Sequence, residues 1–221
     1  SKQTSQINYG LTLLLEDYYN VNLIKNSNEF GPNFYGNFGD SKQNSIYNSD
    51  GFILFMQRLF GFSSLTTEIT YRNDTFLTLA VKQSNIELVK LCLDNLKDQH
   101  IFDEISINNP FVYAIQAHNL DIVNLFINYF GENISKQTSQ INLGLTLLLE
   151  DYYHNSYNNN SNGFAQKLYY DSDDFILFMQ RLFEFTCFDT QITYRNDTFL
   201  TLAVRNSHLK LVKFCLDNLK D

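Results

Sequence analysis

Residues 1–19, SKQTSQINYGLTLLLEDYY, return at 135–153 with one change, Tyr9 becoming Leu143. A second block, 50–98, returns at 173–221 with 36 of 49 positions unchanged. Between the blocks a polar segment shrinks from 30 residues (20–49) to 19 (154–172). A chain written in such tandem units folds as a stack, because each unit buries its apolar face only against its neighbours. The 44% of hydrophobic residues is enough to fill such a core.

Shorter units lie inside the long ones. Residues 75–95, TFLTLAVKQSNIELVKLCLDN, align with 109–129, NPFVYAIQAHNLDIVNLFINY, bringing Ala80 onto Ala114 and Val89 onto Val123. Leu77, Ala80 and Val81 fall at i, i+3 and i+4, and Ile86, Val89 and Leu93 do much the same, so both halves read as amphipathic helices. Lys82 to Asn85 interrupt the pattern and read as a turn. The unit is a pair of short antiparallel helices. Thr75 and Asn109 are placed to cap the first helix, Pro110 suits its first position, and Asn73 and Asn196 can adopt the left-handed conformation.

These residues resemble the ankyrin-repeat family, whose pattern is roughly GxTPLHxAxxxGHxEIVxLLLxxGA over about 33 residues. Asn73, Thr75, Leu77, Ala80, Ile86, Glu87, Leu88, Val89, Leu91 and Leu93 stand at the family's turn, capping and apolar positions. The same pattern runs through Asn109, Pro110, Phe111, Ala114, Leu120, Asp121, Ile122, Val123, Leu125 and Ile127, and again through Asn196, Thr198, Leu200, Ala203, Val212 and Leu216. Two departures stand out. Ser84, His118 and Ser207 replace the glycine between the helices, and Leu96, Phe130 and Leu219 replace the one after the second helix. Irregular hairpins and longer or distorted second helices are therefore expected.

Leu145, Leu148, Leu149 and Tyr152 keep a first-helix pattern, and FILFMQRLF at 52–60 and 175–183 reads as its partner. The expected fold is all-α, an ankyrin-like helix-pair solenoid with polar loop insertions. Its repeats span 1–70 (insertion 20–49), 71–104, 105–134, 135–193 (insertion 154–172) and 194–221. The insertions are rich in Asn, Ser, Gly and aromatics and read as loops. Phe30, Phe34, Tyr35 and Phe38 are apolar enough to make lateral contacts with another chain or repeat.

The signatures of catalysis are missing: no GxSxG, GxxxxGKS/T, HExxH or GxGxxG sequence occurs, and the four histidines lack metal-ligand spacing. Acidic pairs such as Asp173–Asp174 lack the DxDxDG arrangement of a calcium loop, and negative charge suits a helix start. Neither an enzyme, a cofactor nor a metal is expected. Cys92 and Cys215 occupy one repeat position and, with Cys187, show no CxxC spacing, so they read as core residues. The net charge of −8 argues against nucleic acid as a partner. No stretch approaches the length of a membrane span, so membrane insertion is not expected.

Of four Asn-x-Ser/Thr sequons, Asn73 and Asn196 have backbone roles, leaving Asn133 and Asn159 as the accessible glycosylation acceptors. The family resemblance tilts the compartment towards the cytoplasm and leaves an extracellular fibre open. Ser1 enters the repeat partway, as in a window of a longer protein. The expected function is a non-enzymatic structural tandem-repeat protein, part of a long array or fibre whose partners are proteins, itself included. The alternative is a finite ankyrin-type protein–protein interaction adaptor. The resemblance implies a binding face on the exposed side of the first helices, lined by Thr78, Lys82, Gln83, Gln116, Ala117, Thr201, Arg205 and Asn206.

Overall fold

The computed structural model describes residues 8–18, 50–62, 70–72, 74–96, 102, 108–157, 169–186 and 192–219, with side chains in α2 described as far as residue 60. The described residues are all-α. The helices are α1 (residues 8–18), α2 (Asp50–Phe62), α3 (Phe76–Lys82), α4 (Ile86–Asn95), α5 (Pro110–Gln116) and α6 (Leu120–Phe130), followed by α7 (Thr138–Tyr157), α8 (Asp173–Phe183), α9 (Phe199–Asn206) and α10 (Leu209–Asn218). The FILFMQRLF segments lie within α2 and α8. A 3-10 helix, Gly131–Gln137, joins α6 to α7 without a loop, so the expected repeat boundary between 134 and 135 falls inside helical backbone.

The first helix of each short unit starts on a side-chain cap. The Oγ1 of Thr75 accepts from Thr78 N–H at 3.1 Å, and Oδ1 of Asn109 accepts from Phe111 N–H at 2.9 Å, with Pro110 behind it. Thr198 and Thr201 cap one another reciprocally. Each cap satisfies donors that the helix itself leaves unpaired.

The turns between the helices correct one expectation. Ser84, His118 and Ser207 take φ of 52°, 44° and 60°, the left-handed conformation that glycine adopts most easily. Around each, two backbone bonds close the helix. Asn85 N–H donates to Ala80 O and Ser84 N–H to Val81 O, and the same pair recurs at Asn119/Ala114 with His118/Ile115, and at His208/Ala203 with Ser207/Val204. This is the Schellman closure. Its bonds are backbone bonds, so losing the glycine strains the turn without opening it. The second helices are not lengthened in α4 and α10, each 10 residues long; α6 runs to 11 and ends on Gly131, at φ 52°.

The helices pack in two rows. First helices follow one another, α3 on α5, α5 on α7 and α7 on α9; second helices do likewise, α2 on α4, α4 on α6 and α8 on α10. Within pairs α3 packs on α4, α5 on α6 and α9 on α10. The core runs between the rows, where Ala80, Ala114 and Ala203 are wholly buried and hold the two helices of each pair close. Phe102 packs with Phe111, Phe126 and Phe130 of the middle pair in an aromatic cluster of mixed edge-to-face, tilted and stacked contacts, with centroids 5.0–6.1 Å apart. Cys92 and Cys215 are buried in the same core, and burial pushes the Cys215 thiol up to about 12.

Candidate interaction surface

Two copies of the sequence TYRND build matching tips. Tyr71 and Asp74 exchange backbone bonds at 2.9 and 3.0 Å, and Tyr194 and Asp197 do the same at 2.9 Å. Arg195 and Asn196 stand at φ 49° and 67°, as a two-residue turn with both central residues left-handed requires. Asn196 fulfils its expected role; Asn73 lies outside the described residues.

Each tip is tied back to the end of its first helix. The Asp74 carboxylate accepts from Lys82 Nζ at 2.8 and 3.0 Å, and Asp197 accepts from both terminal nitrogens of Arg205 at 2.8 and 3.0 Å. Asp74 and Asp197 are buried, so the cations compensate carboxylates that would otherwise be costly. Burial alone would lower the Lys82 ammonium, but Asp74 holds it above its ordinary value. The same ammonium lies 4.6 Å from the centre of the Tyr113 ring on the next first helix.

The eight residues expected on the binding face are thus unequally placed. Thr78 is buried, its hydroxyl 3.1 Å from that of Thr75, and it does not belong to an exposed face. Lys82, Gln83, Gln116, Ala117 and Asn206 are half-buried. Gln116 Nε2 donates to Asp151 at 3.2 Å and Asn206 Nδ2 to Ser156 Oγ at 2.8 Å, so both join consecutive helix pairs. Thr201 and Arg205 are exposed. The packing of first helix on first helix explains the difference, since the expected face is partly the seam between neighbours. Phe30, Phe34, Tyr35, Phe38 and Asn159 lie outside the described residues. Asn133 is exposed on the 3-10 helix.

A different set of side chains forms the more conspicuous patch. The Arg195 guanidinium lies 5.6 Å from the ring centres of both Tyr153 and Tyr194, and that of Arg205 lies 5.5 Å from Tyr157, whose hydroxyl it also contacts. His154 shares a hydrogen bond of 3.1 Å with the Tyr194 hydroxyl. His154, Tyr157, Arg195 and Arg205 are exposed, and Tyr153 and Tyr194 half-buried. The end of α7 and the Tyr194 tip are some 40 residues apart in sequence, so local periodicity does not reveal their meeting; the signal that could have was the verbatim return of TYRND.

Among the described residues no group of three His, Cys, Asp or Glu could hold a metal ion, and no helix is long and apolar enough to cross a membrane. No protein-family model, curated protein or solved structure matches the chain.

Proposed function

We propose that the chain is a non-enzymatic structural tandem-repeat protein, a stretch of an ankyrin-type solenoid that builds a long array or fibre with protein-binding surfaces along it. One observation carries this reading: helix pairs pack in series, first helix on first helix and second on second, in long units of which one block recurs with a single change and another with 36 of 49 positions unchanged. A head-to-tail stack of this kind does not close on itself, so nothing in its geometry limits its length. With pairs about 10 Å apart, each long unit adds roughly 30 Å. The net charge of −8 makes protein a better partner than nucleic acid.

Electron microscopy of the native, full-length protein at high and low concentration tests the reading. Filaments with a regular axial repeat that survive dilution are expected. Particles of one fixed length would overturn the fibre in favour of a finite adaptor. A specific observation favours that second reading: Tyr153, Tyr157, Tyr194, Arg195 and Arg205 make a patch of the residue types that dominate binding energy at protein interfaces. The insertions are assigned to lateral association. Deleting residues 20–49 is expected to leave the circular-dichroism helix signal nearly intact and to abolish any side-by-side association of filaments.

A further inference from the structure

Helices α1 and α2 repeat the sequences of α7 and α8 almost unchanged but not their surroundings, and the difference falls on one face. In the second copy Leu148, Phe178 and Leu182 are wholly buried. Their counterparts Leu14 and Leu59 are only half-buried, and Phe55 is 48% exposed. Leu54 and Leu177, a neighbouring position on the same helices, are 51% and 53% exposed, so the first copy is not loosened as a whole. The face that differs is the one towards which α5 and α6 lie in the second copy.

Specific contacts make that seam. Ile115 approaches Gly144 so closely that a Cβ on the glycine would stand 2.7 Å from Ile115 Cβ and Cγ2. Gln116 donates to Asp151 at 3.2 Å, and Asn124 Oδ1 accepts from Arg181 at 3.1 Å. The first copy repeats all the receiving residues, as Gly10, Asp17 and Arg58. Beyond the backbone of its own helix, no described atom lies within 4 Å of the point where a Gly10 Cβ would stand. A glycine inside a helix weakens it, and at 144 the return is the close seating of Ile115; at 10 no described residue takes that seat.

We propose that the groove lined by Gly10, Leu13, Leu14, Phe55 and Leu59 is a docking surface for one hairpin type, a helix pair with the sequence of α5 and α6. It receives an isoleucine on Gly10, a glutamine at Asp17 and an asparagine at Arg58. The inference rests on the array reading and adds its phase. The hairpin at the far end of this chain fits less well: α10 offers Lys213 in place of Asn124, although Arg205, in place of Gln116, would still suit Asp17. Lys213 would meet Arg58 with like charge. The far face asks for the same hairpin from its other side. There Val204 and Leu216 are 60% and 56% exposed, whereas their counterparts Val81 and Leu93, beneath α5 and α6, are 2% and 4% exposed. The array therefore grows in one order, with an α5–α6 pair always between a pair of the α3–α4 or α9–α10 sequence and the next α7-like helix.

The test adds a copy of residues 105–134 directly before Ser1 of the full chain, reproducing the natural junction of 134 with 135. Amide hydrogen exchange in 8–18 and 50–60 is expected to slow by about tenfold or more. Gly10→Ile should abolish that slowing in the extended chain while leaving the unextended chain's helical content unchanged. Asn124→Lys in the added copy should weaken it. No slowing with Gly10 intact, slowing that persists with Gly10→Ile, or slowing indifferent to the added lysine would each overturn the inference. Gly144→Ile in the unextended chain tests the array reading separately. It should speed exchange in α5 and α7, and native exchange there would refute the serial packing itself.

Discussion

Ser207 sits at φ 60° on an exposed turn, where a side chain costs about 1–2 kcal/mol relative to a right-handed conformation. Ser207→Gly is expected to stabilise the chain by about 0.5–1 kcal/mol in urea unfolding, since glycine removes that strain but also loosens the unfolded chain. His118→Gly should gain less, because the imidazole packs, tilted, with its centre 4.4 Å from that of the Tyr169 ring. Two half-buried titrating groups give a pH signature of opposite signs. Burial pushes the Asp151 carboxyl up to about 6, against the bond from Gln116, so its contribution to stability is full below about 4 and is lost as pH rises through about 6. Burial lowers the His118 imidazole to about 4, so its contribution is full above about 6.5 and is lost as pH falls towards about 4. In the parent the two slopes oppose one another. Asp151→Asn should therefore raise stability at pH 7 by roughly 1–3 kcal/mol and make the thermal midpoint fall more steeply on acidification; an unchanged slope would show that the carboxyl is solvated. Thr75, Asn109 and Asn196 could be assigned from sequence because capping and left-handed turns are decided within a few residues. The turns at Ser84, His118 and Ser207 were not legible, because an absent glycine reads as an absent turn while the closing bonds belong to the backbone.

Each helix pair depends on a small residue where its helices approach, and the period of 3.6 exposes that residue in the sequence. Ala80 is wholly buried and its carbonyl closes the turn, so Ala80→Asp should place an unpaired carboxylate between helices and unfold its neighbourhood. A soluble variant of undiminished ellipticity would sink the alignment of these repeats. Asn119 caps α6 through Ile122 N–H and donates to Ser84 Oγ at 3.2 Å. Asn119→Ala is expected to cost about 1–2 kcal/mol, more than a cap alone, because it also cuts a tie between pairs. The helices of 50–62 and 173–183 were legible from the recurrence of FILFMQRLF, and each packs on a second helix of the array, α2 on α4 and α8 on α10. The Tyr–Arg patch was not, because it is made between α7 and a tip that the chain reaches only after α8. The half-burial of Lys82, Gln116 and Asn206 was hidden for a related reason: a polar residue at the end of a first helix reads as solvated, whereas here it bonds to the neighbouring pair or to a buried aspartate.

Over the whole molecule, near-identical segments meet unequal neighbours, so stability is set by position in the stack as well as by sequence. Residues 8–18 and their repeat at 142–152 differ at one position, yet amide exchange in the chain as it stands is expected to be about tenfold faster in the first. Equal rates would mean that stacking contributes little. The order of the helices could be read from the repeats, but which faces lie uncovered could not, because that is a property of neighbours. The loop-free passage from α6 through the 3-10 helix into α7 carries a further consequence for cleavage. Proteases need several residues of extended backbone, and from Leu120 to Tyr157 only Gly131, at φ 52° and ψ −126°, departs from helical backbone. Limited digestion should therefore leave α6 and α7 on one fragment, so that the pieces a protease releases straddle the sequence repeat and each carries the end of one copied unit fused to the start of the next.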